Sequence, residues 1–222
     1  MANGNINDAV SGNYILGIGE VFSEAWQKTN GFKGKALGAF VLLYVVLFLT
    51  MLGLMFVLGV ESQAEQNPLT SLIIQLVIAL IVYPMSAGIM MMGIHQVAGK
   101  PVKVGMIFGY FDKTLRIFGL YLLMTIMIAI GFVLLIIPGV YLAVAYTLAL
   151  PLLIEKNMGI WEALETSRKA LSKRWFTVFV IFVLLGLLFV AGTIPLGIGL
   201  IWVIPLSITV MGVMYKTIFG IS

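Results

Sequence analysis

Cysteine is absent from these 222 residues, histidine occurs once, and only 10% of the residues are charged. Without cysteine there are no disulfides and no thiolate metal sites, and the redox compartment is left open. A lone histidine with no second imidazole or thiolate is a poor metal set. A soluble domain carries about 25% charged residues, so this chain has too few to clothe a water-soluble fold. No polar stretch is long enough to enclose a core of its own. The opening MANGNINDAV has no basic region leading into a short apolar run, so no removable signal peptide is expected. There is no phosphate-binding glycine loop, no H-E-x-x-H pair, no G-x-S-x-G elbow and no dinucleotide fingerprint. No cofactor, no metal and no enzymatic activity are expected.

What the chain does have is apolar length. Its hydrophobic share is 61%, against roughly 45–50% in soluble domains. A bilayer core of about 30 Å takes about 20 helical residues. Residues 36–60 contain no charge and form a first span; 70–98 form a second, with Pro84 expected to kink it. Residues 117–154 run without a charge and are too long for one crossing. Pro138-Gly139 is the expected break between spans at 117–137 and 140–154. The last apolar block yields spans near 175–194 and 200–218, parted at Pro195 and Gly197. The fold class is therefore all-α, a single polytopic membrane domain over 1–222 with six transmembrane helices in three hairpins (36–98, 117–154, 175–222).

Each hairpin is preceded by a stretch that is polar and apolar by turns: a tail and helix within 1–35, a segment 99–116, and a helix within 155–174. In the first, Ile15, Ile18, Phe22 and Trp26 make one helical stripe. In the second, Val104, Ile107, Phe111 and Leu115 do. In the third, Ile160, Ala163, Leu164, Ser167 and Leu171 form the buried face, with Glu162, Glu165 and Lys169 opposite. Such helices lie along the interface with tryptophan at headgroup level. The repetition is one of pattern at unequal spacing.

The turns at 61–69, 137–140 and 195–199 contain no Lys or Arg. The three preceding stretches and the C-terminal end hold three, four, five and one, which accounts for all thirteen. Basic residues favour the cytoplasmic side. Both termini are therefore expected in the cytoplasm, and the protein in a bacterial cytoplasmic (inner) membrane. The positive balance is thus a signal of topology and not of nucleic acid.

The run 137–175 resembles a signature of uncharacterised bacterial six-helix membrane proteins, similar to the membrane domain fused to some glycerophosphodiester phosphodiesterases. The matching features are Ile137-Pro138-Gly139, Tyr146, Pro151, and Trp161-Glu162-Ala163-Leu164 followed by Ser167. The resemblance implies a cytoplasmic-membrane location. No phosphodiesterase domain is present, so it implies no catalysis.

The functional class read from these features is a non-enzymatic structural or interaction protein, with membrane lipids, anionic headgroups among them, a homo-oligomer or a membrane partner as its contacts. The collar expected to engage them comprises Trp26, Lys33, Lys35, Lys113, Arg116 and Trp161, with Arg168, Lys169, Lys173 and Arg174. The alternative is a small transporter for a lipid or apolar solute, moving around Pro84 and Pro151. It would use a polar path through Gln75, His95 and Glu155, since ionisable groups within spans are costly. Each of the three also has a plainer reading: Gln75 as an interhelical hydrogen bond, His95 as an interfacial side chain, Glu155 as a paired helix end. A lipid-modifying enzyme ranks last. Glu162 and Glu165 are spaced like paired acids, yet an exposed helix face explains them more simply. The thirteen methionines are read as flexible packing, and the small-x-x-x-small pairs at 34–38, 143–147 and 145–149 as sites of close helix approach.

Overall fold

The computed structural model describes residues 3–58 and 67–221; the expected turn at 61–69 lies largely outside them. Ten α-helices follow in order: α1 (Ile6–Ser11), α2 (Ile18–Thr29), α3 (Lys33–Leu58), α4 (Pro68–Val97), α5 (Thr114–Leu134), α6 (Ile136–Ala145), α7 (Ala149–Glu155), α8 (Ile160–Ser172), α9 (Trp175–Thr193) and α10 (Leu200–Phe219). Among the described residues there is no strand. Among the described residues six helical stretches are long and apolar enough to cross a membrane, one of them assembled from α6 and α7 and another from α5 with the helical turns before it. The protein is an all-α, multi-pass membrane protein.

The last helix is the centre. From Val203 to Phe219 the buried residues of α10 fall on every face, and it packs against α4, α2, α3 and α9. Its contact with α4 is backbone on backbone. A Cβ placed on Gly93 would stand 2.5 Å from the Ile208 carbonyl oxygen, and one on Gly212 would stand 2.6 Å from that of Gly93. Lipid offers helices no hydrophobic drive to associate, so close approach through small residues supplies the attraction. By contrast α3 is held by its first turns, where Ala36 and Ala39 are buried, while Tyr44, Phe48, Met55 and Phe56 are exposed, as chains facing hydrocarbon are.

Helix α2 runs antiparallel to α10: Glu24 meets Lys216, and the Thr29 hydroxyl meets that of Thr209 at 3.0 Å, both within hydrogen-bond reach. Of the stripe of large residues, Ile18 and Phe22 are partly buried against the core. Val21, Ala25 and Thr29 are inside, whereas Ile15 and Trp26 are exposed. The small side chains admit the neighbouring helix most closely.

Residues 99–116 do not make an amphipathic α-helix. Two short 3-10 turns, Val104–Phe108 and Phe111–Lys113, stand there instead. Pro101, Gly105 and Gly109 each oppose helix propagation. Of the expected stripe only Ile107 is buried, pressed on Gly88, where a Cβ would lie 2.5 Å from its Cα. Leu115 is exposed.

The turn between α5 and α6 falls at Leu135, in extended conformation, and not at Pro138-Gly139. Pro138 sits in the first turn of α6, where a missing N–H costs nothing. Gly139 lies within α6 against Gly131 and Phe132, with no room for a Cβ. The fourth span is broken lower down, at Tyr146–Leu148. The cause is Pro151, which removes a backbone donor and crowds the carbonyl four residues back, that of Thr147. The Ala145 carbonyl at the end of α6 accepts from the buried Ser167 hydroxyl of α8 at 2.7 Å. Such rescue by a neighbouring side chain is what makes a broken span tolerable in lipid. Pro84, in contrast, leaves α4 continuous.

Candidate functional site: a basic helix end and a cavity between spans

Helices α4, α7 and α10 end together, and polar groups gather there. The Tyr215 hydroxyl donates to Glu155 Oε2 at 2.6 Å, and Lys156 Nζ stands 3.1 Å from the same oxygen. The Glu155 side chain is only 9% exposed, so this carboxylate is a buried, paired helix end. Gln96 Nε2 donates to the Lys28 carbonyl at 2.8 Å. Lys216 Nζ reaches Glu24 at 3.0 Å. Burial works to raise the Glu24 carboxyl, but the positive groups around it, Lys216 first among them, hold it below the ordinary range. The N-terminal segment closes over this end: the Gly4 N–H donates to the Lys216 carbonyl, and the Tyr14 hydroxyl donates to that of Ala170 at 2.9 Å. Burial pushes the Tyr14 hydroxyl up to about 12, against the opposing charge of Arg174.

His95 is half-buried in the last turn of α4, at this same end. Gln75 is exposed, and at 1.5 Å per residue it lies about 30 Å away along α4. The three residues of the conjectured polar path are thus not brought together.

The collar residues divide. Arg168 grips Glu165 with two hydrogen bonds, 2.8 and 2.7 Å, and Lys169 stands 3.5 Å from the same carboxylate. Glu165 is held below the ordinary carboxylate range, first by the Arg168 hydrogen bond. Glu162 accepts from the Gly159 N–H at the start of α8. The two acids therefore serve the helix and its neighbours, not a shared pocket. Arg116 is tied down as well, to the Asn157 side chain at 2.7 Å and the Met158 carbonyl at 2.9 Å. Lys35, Lys173, Arg174 and Trp161 are exposed, and Lys113 is half-buried. The ammonium of Lys33 sits 5.7 Å from the Trp26 ring centroid and 5.6 Å from that of Trp202. Trp202 is in the first turn of α10, so Lys33 stands away from the cluster at the other end of that helix; cation–π contact takes the place of water around its charge.

Between α4, α9 and α10 lies a cavity of about 490 Å³. Its walls are Ile89 and Met90 of α4, Phe182 and Leu185 of α9, and Ile208 and Met211 of α10. Three hydroxyls border it: Ser86, Thr147 and Ser207. Each is already bonded to a backbone carbonyl of its own segment, those of Tyr83, Val144 and Ile204, at 2.8 Å. Neither His95 nor Gln75 lines it. Thr147 reaches it from the break in the fourth span, so Pro151 is the sequence signal that pointed this way. Ser86, Ser207 and Gly186 carried no signal of their own, because a hydroxyl or a glycine in an apolar run does not reveal which helix it will face.

Compared with protein-family models, with curated proteins and with solved structures, the chain matches none.

Proposed function

We propose that the chain is a non-enzymatic protein of the bacterial cytoplasmic membrane that engages phospholipids through a cationic, tryptophan-flanked cytoplasmic face. The observation that supports this reading is the distribution of charge: all thirteen Lys and Arg fall in the tail, the segments 99–116 and 155–174, and the last turn of α10, although Lys33, beside Trp202 in the first turn of α10, stands apart from the rest. Both termini lie on that face, and the two amphipathic helices α2 and α8 flank it. Of the basic residues, the exposed Lys173 and Arg174 are the principal headgroup contacts, because Arg168 and Arg116 are already engaged within the chain. The resemblance of 137–175 to six-helix bacterial membrane proteins supports the location.

The experiment is binding of the purified chain to phosphatidylglycerol and phosphatidylcholine. Each well-placed base contributes about 1 kcal/mol toward anionic lipid. Neutralising Lys173→Gln and Arg174→Gln together therefore lowers the preference for phosphatidylglycerol roughly 30-fold, the equivalent of about 2 kcal/mol. Equal affinity for the two lipids in the parent protein would end the proposal. The orientation is checked separately, since a chain without cysteine accepts a single one. Ile198→Cys, in the α9–α10 turn, reacts with an impermeant maleimide on intact spheroplasts, and Lys169→Cys reacts only after lysis. The reverse pattern would turn the protein upside down.

One observation favours a second reading, a transporter of a lipid or apolar solute: a broken span borders the cavity, as discontinuous helices do in transporters. Lipid exchange between leaflets, accelerated by the reconstituted protein, would put this reading first.

A further inference from the structure

We infer that the cavity between α4, α9 and α10 is a binding site for one fatty-acyl chain of a membrane phospholipid. The inference deepens the lipid reading and rests on it. Four observations carry it. The walls are aliphatic, aromatic and thioether side chains of three spanning helices. The bordering hydroxyls each spend their one O–H donor on a backbone carbonyl within the chain, so none holds a donor out to a polar ligand. The volume of about 490 Å³ lies in the range of about 300–1,000 Å³ common for small-molecule sites. A helix is about 10 Å across and advances 5.4 Å per turn, so one turn alone displaces roughly 420 Å³; a partner's spanning helix is far too large. Finally, the wall has a way in. Gly186 and Phe189 on α9 are exposed, and a Cβ placed on Gly186 would meet nothing within 4 Å. Hydrocarbon therefore has access past Gly186 into a space shaped for a narrow, flexible, apolar occupant.

Gly186 also supplies the test. Side chains added there project into open space, so Gly186→Leu occupies the cavity without disturbing the packing of α9. The reporter is Phe182→Trp in a wall of the cavity; none of the four native tryptophans lines it. The full chain in detergent is titrated with phosphatidylglycerol bearing dibrominated acyl chains, whose bromines quench indole fluorescence on contact. The expected result is extra quenching in the Phe182→Trp protein that saturates at one lipid per chain. Gly186→Leu abolishes that saturable component, and Gly186→Ala retains it. Gly186→Val carries the same test should the leucine variant fail to fold. Quenching that never saturates, or that survives both larger substitutions, overturns the assignment. So does a reporter shielded from brominated lipid in a dimer of this chain, the result expected if a second copy covers the cavity. If saturable binding fails while the preference for anionic headgroups persists, only the chain site is lost. If that preference is absent too, the lipid reading itself falls.

Discussion

Valine in place of Gly93, or of Gly212, lowers the stability of the fold sharply. At each position the new Cβ would overlap a main-chain oxygen of the facing helix, 2.5 Å away for Gly93 and 2.6 Å for Gly212. A backbone atom in a packed helix has no rotamer to turn out of the way, so α4 and α10 must separate. Overpacking costs about 1–3 kcal/mol where side chains can adjust, and more where they cannot. Here we expect about 3 kcal/mol or more, which for a chain of this length corresponds to a fall of roughly 6–12 °C in melting temperature. Thermal unfolding in detergent, followed by size-exclusion chromatography, is the measurement. Gly186→Ala, where the new methyl meets open space, stays within about 0.5 kcal/mol of the parent. A Gly93→Val protein that melts with the parent would mean that α4 and α10 do not cross there. Because α10 also carries α2 and α3, its displacement spreads to the whole bundle, and this is why the effect is large for a single site.

The second large effect is at Tyr215. It is fully buried in α10, and its hydroxyl donates to Glu155 across the bundle. Two contributions are therefore separable. Tyr215→Ala removes the ring and leaves a void, with an expected loss of about 3–5 kcal/mol. Tyr215→Phe keeps the ring and removes only the donor, leaving a buried carboxylate with one bond fewer at a cost of about 1–3 kcal/mol. Lys156 remains on the same oxygen and keeps the phenylalanine variant at the lower end. The same melting measurement decides. A phenylalanine variant as stable as the parent would show that the carboxylate does not depend on this hydroxyl. One as unstable as the alanine variant would make the hydrogen bond, not the ring, the tie between α7 and α10.

Much of the architecture was readable from residues alone. Six apolar stretches and the turn at Pro195 and Gly197 reappear among the described residues near their expected places. The inner face of α8 also matches: Ala163, Leu164, Ser167 and Leu171 are buried. In that helix the apolar and polar faces differ sharply in composition, so periodicity identifies the inside. In α2 the stripe divides: Ile15 and Trp26 are exposed and Ile18 and Phe22 pack on the core, while the most deeply buried residues are the smaller Val21, Ala25 and Thr29. Within lipid, hydrophobicity no longer distinguishes inside from outside; size does. The helix expected at 99–116 failed for a local reason, the spacing of Pro101, Gly105 and Gly109. The break in the fourth span was announced by Pro151, while Pro138 proved to be an ordinary first-turn proline.

The candidate site was legible only as charge. Counting Lys and Arg by segment needs no partner, so their concentration in a few segments stood in the sequence. Which of those residues remain exposed did not. Glu165 engages Arg168 one helical turn away, but Asn157 engages Arg116 and Trp202 meets Lys33 across distances in the chain that no local pattern spans.

From the residues alone came the number of apolar stretches, the bareness of three turns and the concentration of cations elsewhere, because each depends on a short window and on the solvent around it. Tertiary structure alone decided that α10 would be the centre, that Glu155 would meet Tyr215, and that a cavity would open between α4, α9 and α10. Those features arise from the fit of one helix surface to another. In a chain this uniformly apolar, that fit is set by the sizes and shapes of side chains brought together from far apart.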